Sequence, residues 1–173
     1  MSEKEAAKYY PSNKYYSFKN TSKLPVTYHK LSAYYHSGKN FWLNLLLTPF
    51  ASLFYTYYLE PGKKLLEIGC GDGLKLGIYQ KYGLEVHGIE PYGAPLTAKE
   101  KSLNIKRIFI KDAEYPENSF DIIVMKEVLE HVPNQKQVLE KCLKWLKPNG
   151  KFIITIPNTD GLWCKIFKDN WFG

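Results

Sequence analysis

Hydrophobic positions along this chain change character near residue 60. Before it, aromatic residues crowd together without a clear period. After it, short apolar runs alternate with segments of helical spacing. Pro61-Gly62 marks a turn, and KLLEI (64–68) is a strand of buried character. LKLGIYQKYG (74–83) is a short helix that Gly83 can terminate. LEVHGIEP (84–91) is a second strand, and APLTAKEKSLN (94–104) a second helix with Pro95 near its first turn. IKRIFIKDA (105–113) and FDIIVMK (120–126) are strands three and four. VPNQKQVLEKCLKWLKPNG (132–150) is amphipathic, with Val138, Leu139, Cys142, Leu143 and Leu146 on one face and PNG at its end. KFIITIP (151–157) is a fifth strand. Strands alternating with helices predict parallel βαβ units and a doubly wound α/β sheet. The composition shift divides the chain into an aromatic-rich helical lead-in (1–60) and an α/β domain (61–173).

Within the lead-in, residues 1 to about 40 are rich in Tyr and Lys, and short helices and loops are expected there. Tyrosine suits either a cover over one side of the core or a lid over a substrate. The segment 41–59, FWLNLLLTPFASLFYTYYL, carries no charge. Its length approaches that of a membrane span, but Asn44, Thr48, Ser52 and Thr56 form a polar stripe and Pro49 interrupts the middle. A helix docked on the domain is expected, with peripheral membrane contact as the alternative.

Net charge is +7, yet Arg107 is the only arginine. Arginine is the residue that reads phosphates and guanine edges bidentately, so no nucleic-acid partner is expected. Cys70, Cys142 and Cys164 are odd in number and widely spaced. They suggest neither a disulfide framework nor a metal site, and a reducing cytoplasm is the expected setting. The N-terminus lacks the apolar core of a signal peptide.

The candidate chemistry sits in LLEIGCGDGLKLG (65–77). A glycine loop after the first strand lies at the carboxyl end of the sheet, where such folds bind ligands. Read from Gly69, the dinucleotide fingerprint would need a small residue at position 74, which is Leu74. Asp72 would also set a carboxylate against a pyrophosphate. Both weigh against a nicotinamide-dependent oxidoreductase, which remains the lesser alternative. Glu90 closes the second strand about twenty residues on, where a carboxylate accepts hydrogen bonds from ribose hydroxyls.

The combination LLEIGCGDG, GIEP, KDAEYPENSFDIIVMKEVLEHVPN and LKPNGKFIITIPN, over residues 61–158, resembles the class I S-adenosylmethionine-dependent methyltransferases. The likeness is to the small-molecule type, including quinone-biosynthesis and cell-surface glycan enzymes. The resemblance implies a Rossmann-like sheet and S-adenosylmethionine as cofactor. By position, Glu67 with the loop at Gly69, Cys70, Gly71 and Gly73 would hold the methionine moiety. Glu90, followed by Pro91, would take the ribose hydroxyls, Asp112 and the Ala113 backbone the adenine, and Lys126 would lie beside the cofactor. Asn149 stands where a second glycine is more usual, and Asn tolerates left-handed φ. His131, with an ordinary pKa near neutrality, is the candidate general base. The amino-methylation signature Asn/Asp-Pro-Pro-Tyr is absent after strand four, so O-methylation of a small molecule or glycan is favoured.

Members of this family carry two more strands after the fifth, whereas only NTDGLWCKIFKDNWFG follows here. A C-terminally incomplete domain is therefore expected, with the fifth strand as an apolar edge. The non-enzymatic alternative is a binding or membrane-peripheral module that keeps the fold without catalysis. Oligomeric state has no signature in the sequence.

Overall fold

The computed structural model describes Trp42 and residues 59–93 and 101–157. Their elements, in chain order, are β1 (Lys64–Ile68), α1 (Leu74–Lys81), β2 (Glu85–Ile89), β3 (Ile105–Lys106), β4 (Phe120–Lys126), α2 (Gln135–Trp145) and β5 (Leu146–Thr155). Short 3-10 turns occupy Ile110–Asp112 and Leu129–His131.

Alternation along the strands builds two cores. Leu65 and Ile122 face one side with Leu76 and Tyr79 of α1. Leu66 and Ile123 face the other, with Val138, Cys142 and Trp145 of α2. Burial on both faces is what a near-continuous apolar strand requires. The strands run β3-β2-β1-β4-β5, and each recorded pairing is parallel. The chain therefore winds outward from β1 to β3, then returns to the other side of β1 as β4. The carboxyl ends of β1 and β4 flank the point where winding reverses, and the doubly wound expectation is met.

Several boundaries differ from the sequence reading. The third strand, expected over 105–113, is confined to Ile105–Lys106 and turns into 3-10 geometry at Ile110. It pairs with β2 through Gly88 and Ile89 alone. The long amphipathic helix, expected over 132–150, spans Gln135–Trp145. Pro148 disfavours a helical residue before it, and Asn149 takes φ +64° as its side chain allows. The strand begins at Leu146, paired with Phe120, and resumes regular register at Lys151 after an irregularity. The buried helix face is Val138, Cys142 and Trp145, whereas Leu143 is 58% exposed. Trp145 and Phe120 each set an edge against the Tyr115 ring, at 5.2 and 4.9 Å between centroids.

The turn at Gly62 and the stop at Gly83 are as expected: both have positive φ, and the Gly62 N–H donates to the Gly83 carbonyl at 2.7 Å. The lead-in 1–40, nearly all of 41–58, most of the second predicted helix and the tail 158–173 lie outside the described residues. Among the described residues no helix is long and apolar enough to cross a membrane.

Candidate functional site

The loop between β1 and α1 gathers the groups singled out in the sequence. Gly69, Gly71 and Gly73 have φ of +76°, +58° and +75°, the left-handed region that side chains avoid. The loop is tied to β2: the N–H groups of Gly69 and Cys70 donate to the Ile89 carbonyl at 2.8 and 3.3 Å. A Cβ on Gly69 would run into Val128, which follows β4, and one on Gly73 would meet Ile105 at 2.5 Å. The loop is thus enclosed by neighbours on both sides of β1.

Cys70 is buried, and burial pushes its thiol well above the usual range. Its sulfur lies where a side chain on Gly88 would have to go, so Gly88 lets the loop fold onto β2. Asp72 Oδ1 accepts the Leu74 N–H at 3.0 Å, at the start of α1. A protein carboxylate therefore occupies the helix N-terminus that a pyrophosphate would use, which counts against a dinucleotide.

Two buried carboxylates face this loop from strand ends. Glu67 is 4% exposed, and its Oε2 has no hydrogen-bond partner. Burial raises its pKa to about 7, against the opposing pull of Lys75 and Lys126. An acceptor so placed suits a ligand cation, and the ammonium group of a methionine moiety is one. Glu90 is 7% exposed. Its Oε2 accepts the Gly71 N–H and its Oε1 the Tyr92 N–H, both at 3.0 Å. Each oxygen keeps a further lone pair for a hydroxyl donor. Burial raises the Glu90 pKa, while those hydrogen bonds and Arg107 act to lower it. Adenosine hydroxyls and a nearby ammonium group fit this donor and acceptor set.

The remaining predicted residues lie at the end of β4 or on the segments that follow β2, β3 and β4. Pro91 leads from Glu90 into the turn at Tyr92. Asp112 is exposed at the end of its 3-10 turn, and Ala113 is fully buried. The Ala113 N–H is already engaged with the Ile110 carbonyl at 3.3 Å. Lys126 ends β4, one strand over from Glu67 on β1. His131 ends the second 3-10 turn with an exposed side chain, its Nε2 3.9 Å from Glu130 Oε1. That turn continues from Val128, so it belongs to the segment that covers Gly69. Sequence reading did not pick out Gly88, Val128 or Arg107 for the site. Arg107 donates from Nη1 to the Gly71 carbonyl at 3.0 Å.

A family described as a methyltransferase domain matches residues 42–173. The chain is 35% identical over 122 residues to a phosphoethanolamine N-methyltransferase of Plasmodium falciparum, covering 65% of this chain and 44% of that protein. It is 36% identical over 112 residues to a ubiquinone biosynthesis O-methyltransferase of Proteus mirabilis, covering 59% and 45%. It therefore spans less than half the length of these two relatives. Among solved structures, the PH0226 protein of Pyrococcus horikoshii superposes with a TM-score of 0.50 at 21% identity, over 81% of this chain and 66% of that one, a likeness of fold alone. With a match that takes in the sheet, the glycine loop and both buried carboxylates, the chain belongs to the class I S-adenosylmethionine-dependent methyltransferases.

Proposed function

We propose that this protein methylates the hydroxyl group of a small-molecule acceptor. The observation that carries the reading is the pair of buried carboxylates at the glycine loop, one with an unpartnered oxygen and one with both oxygens already oriented by backbone N–H groups. When bound, S-adenosylmethionine supplies an activated methyl group on a sulfonium. Glu67 would accept the ammonium group, and the bare backbone at Gly69, Cys70, Gly71 and Gly73 would give it room. Glu90, ahead of Pro91, would accept the ribose hydroxyls. Asp112 and Ala113 would border the adenine, and Lys126 the rim next to Glu67.

The remaining task for the protein is alignment and exclusion of water. His131, in the turn Leu129–His131 that follows β4, would take the acceptor proton. The similarity to a phosphoethanolamine N-methyltransferase supports an amine acceptor as the second reading. A glycan hydroxyl belongs to the same class as the favoured acceptor.

Calorimetric titration with S-adenosylhomocysteine tests the cofactor half. Micromolar binding that Glu90→Ala abolishes is the expected result; a folded chain without binding would sink the reading. Transfer of a labelled methyl group to a panel of phenols, sugars and amines then separates the acceptor classes. His131→Ala should lower turnover on hydroxyl acceptors about a hundredfold.

A further inference from the structure

Gly71 is held between charged side chains that directly follow two other strands. Its N–H donates to Glu90 Oε2 at 3.0 Å, and its carbonyl accepts from Arg107 Nη1 at 3.0 Å. The first bond fixes the peptide plane before Gly71 and the second the plane after it. A third bond, Gly73 N–H to the Cys70 carbonyl at 3.0 Å, closes the turn they share. Arg107 is brought there by the sheet: Ile89 pairs with Lys106, and the Glu90 N–H donates to the Lys106 carbonyl at 3.0 Å. The short β3 thus sets Arg107 beside Glu90 and over the loop.

We propose that Arg107 is a positioning residue for the cofactor, acting on it through the Gly71 peptide. This rests on the S-adenosylmethionine reading of the site. Gly71 has φ +58° and no side chain to restrict it, so the loop has no intrinsic preference for this one arrangement. A guanidinium supplies directed donors in a rigid plane, whereas an ammonium group is a hydrated point charge on a flexible stem. The chain uses lysine for every other basic Lys or Arg position and arginine only here. With Gly71 fixed, its N–H stays on Glu90, and the carboxylate keeps its remaining lone pairs directed at the ligand.

The test compares wild type, Arg107→Met and Arg107→Lys by calorimetric binding of S-adenosylhomocysteine. Thermal unfolding and amide NMR spectra of Gly71 and Asp72 accompany each titration. Arg107→Met should bind about tenfold more weakly, the worth of one hydrogen bond from a charged donor. The Gly71 and Asp72 amide resonances should shift, with core amides such as Leu66 unchanged. Arg107→Lys should also bind more weakly than wild type, with the same amides displaced. Should Arg107→Met lose its cooperative transition, Arg107→Lys decides by the same readouts. Wild-type affinity in a folded variant, or weaker binding with the Gly71 amide unmoved, would overturn the role of Arg107 while leaving the cofactor reading intact. No binding by the wild-type chain would overturn both.

Discussion

Above pH 7, Glu67 carries a negative charge that burial disfavours and that no hydrogen bond to Oε2 offsets. Its folded pKa of about 7 lies above the unfolded value of 4.5, so the folded state binds the proton more tightly between them. Stability is therefore favoured at low pH and falls as pH rises from 4.5 to 7. Glu67→Gln should remove that slope and stabilise the protein by about 3 kcal/mol at pH 8, measured by urea unfolding at pH 5 and 8. Cofactor affinity should move the opposite way, rising with pH in wild type, if Glu67 accepts the ammonium group as proposed, since that contact needs the ionised form. Gly69 makes a second residue-level case. Alanine there meets both an unfavourable φ of +76° and the Val128 side chain, and should cost about 2 kcal/mol in denaturant unfolding. A Val128→Ala background should return the steric part of that loss and leave the backbone part. Glu90 and the glycines stood out in the sequence by their spacing around strand ends, whereas Glu67 was singled out only by the resemblance to a family. Arg107, Val128 and Gly88 were not, because sheet pairing rather than spacing brings them to the loop.

At the scale of elements, α2 shows where periodicity gives the right helix and the wrong edge of its face. Val138 and Cys142 are buried as expected, but Leu143 is exposed and Trp145 takes the third buried position. Val138, Cys142 and Trp145 stand at i, i+4 and i+7 on one face, and the tryptophan packs there against Tyr115 from a distant loop. Trp145→Ala should destabilise by about 3 kcal/mol or more in denaturant unfolding, whereas Leu143→Lys should stay within about 0.5 kcal/mol. The length of β3 was overestimated for a related reason. IKRIFIKDA alternates in part as a strand does, but β2 provides partners for only Ile105 and Lys106. The residues beyond them turn instead toward the loop and the Ile110–Asp112 turn. Strand composition shows where a strand starts, while the neighbouring strand decides where it stops.

For the molecule as a whole, the order β3-β2-β1-β4-β5 was legible as a class, since alternating strands and helices allow few other arrangements. Pairing each strand to its neighbours needed the structure. That order splits the candidate site between two stretches of chain, with Glu67, the glycine loop, Glu90 and Arg107 before residue 110, and Lys126, Val128 and His131 after residue 120. Between them lies an exposed turn at Glu117 and Asn118, where Asn118 takes φ +55°. A chain opened at that turn becomes two fragments, the first with β1 to β3 and most of the candidate cofactor residues, the second with β4, β5, Lys126 and His131. Neither should bind S-adenosylhomocysteine alone, while co-expression should restore binding as β4 docks against β1. The reversal of winding beside β1 would thereby make this protein a fragment-complementation pair, with ligand binding as the report of reassembly.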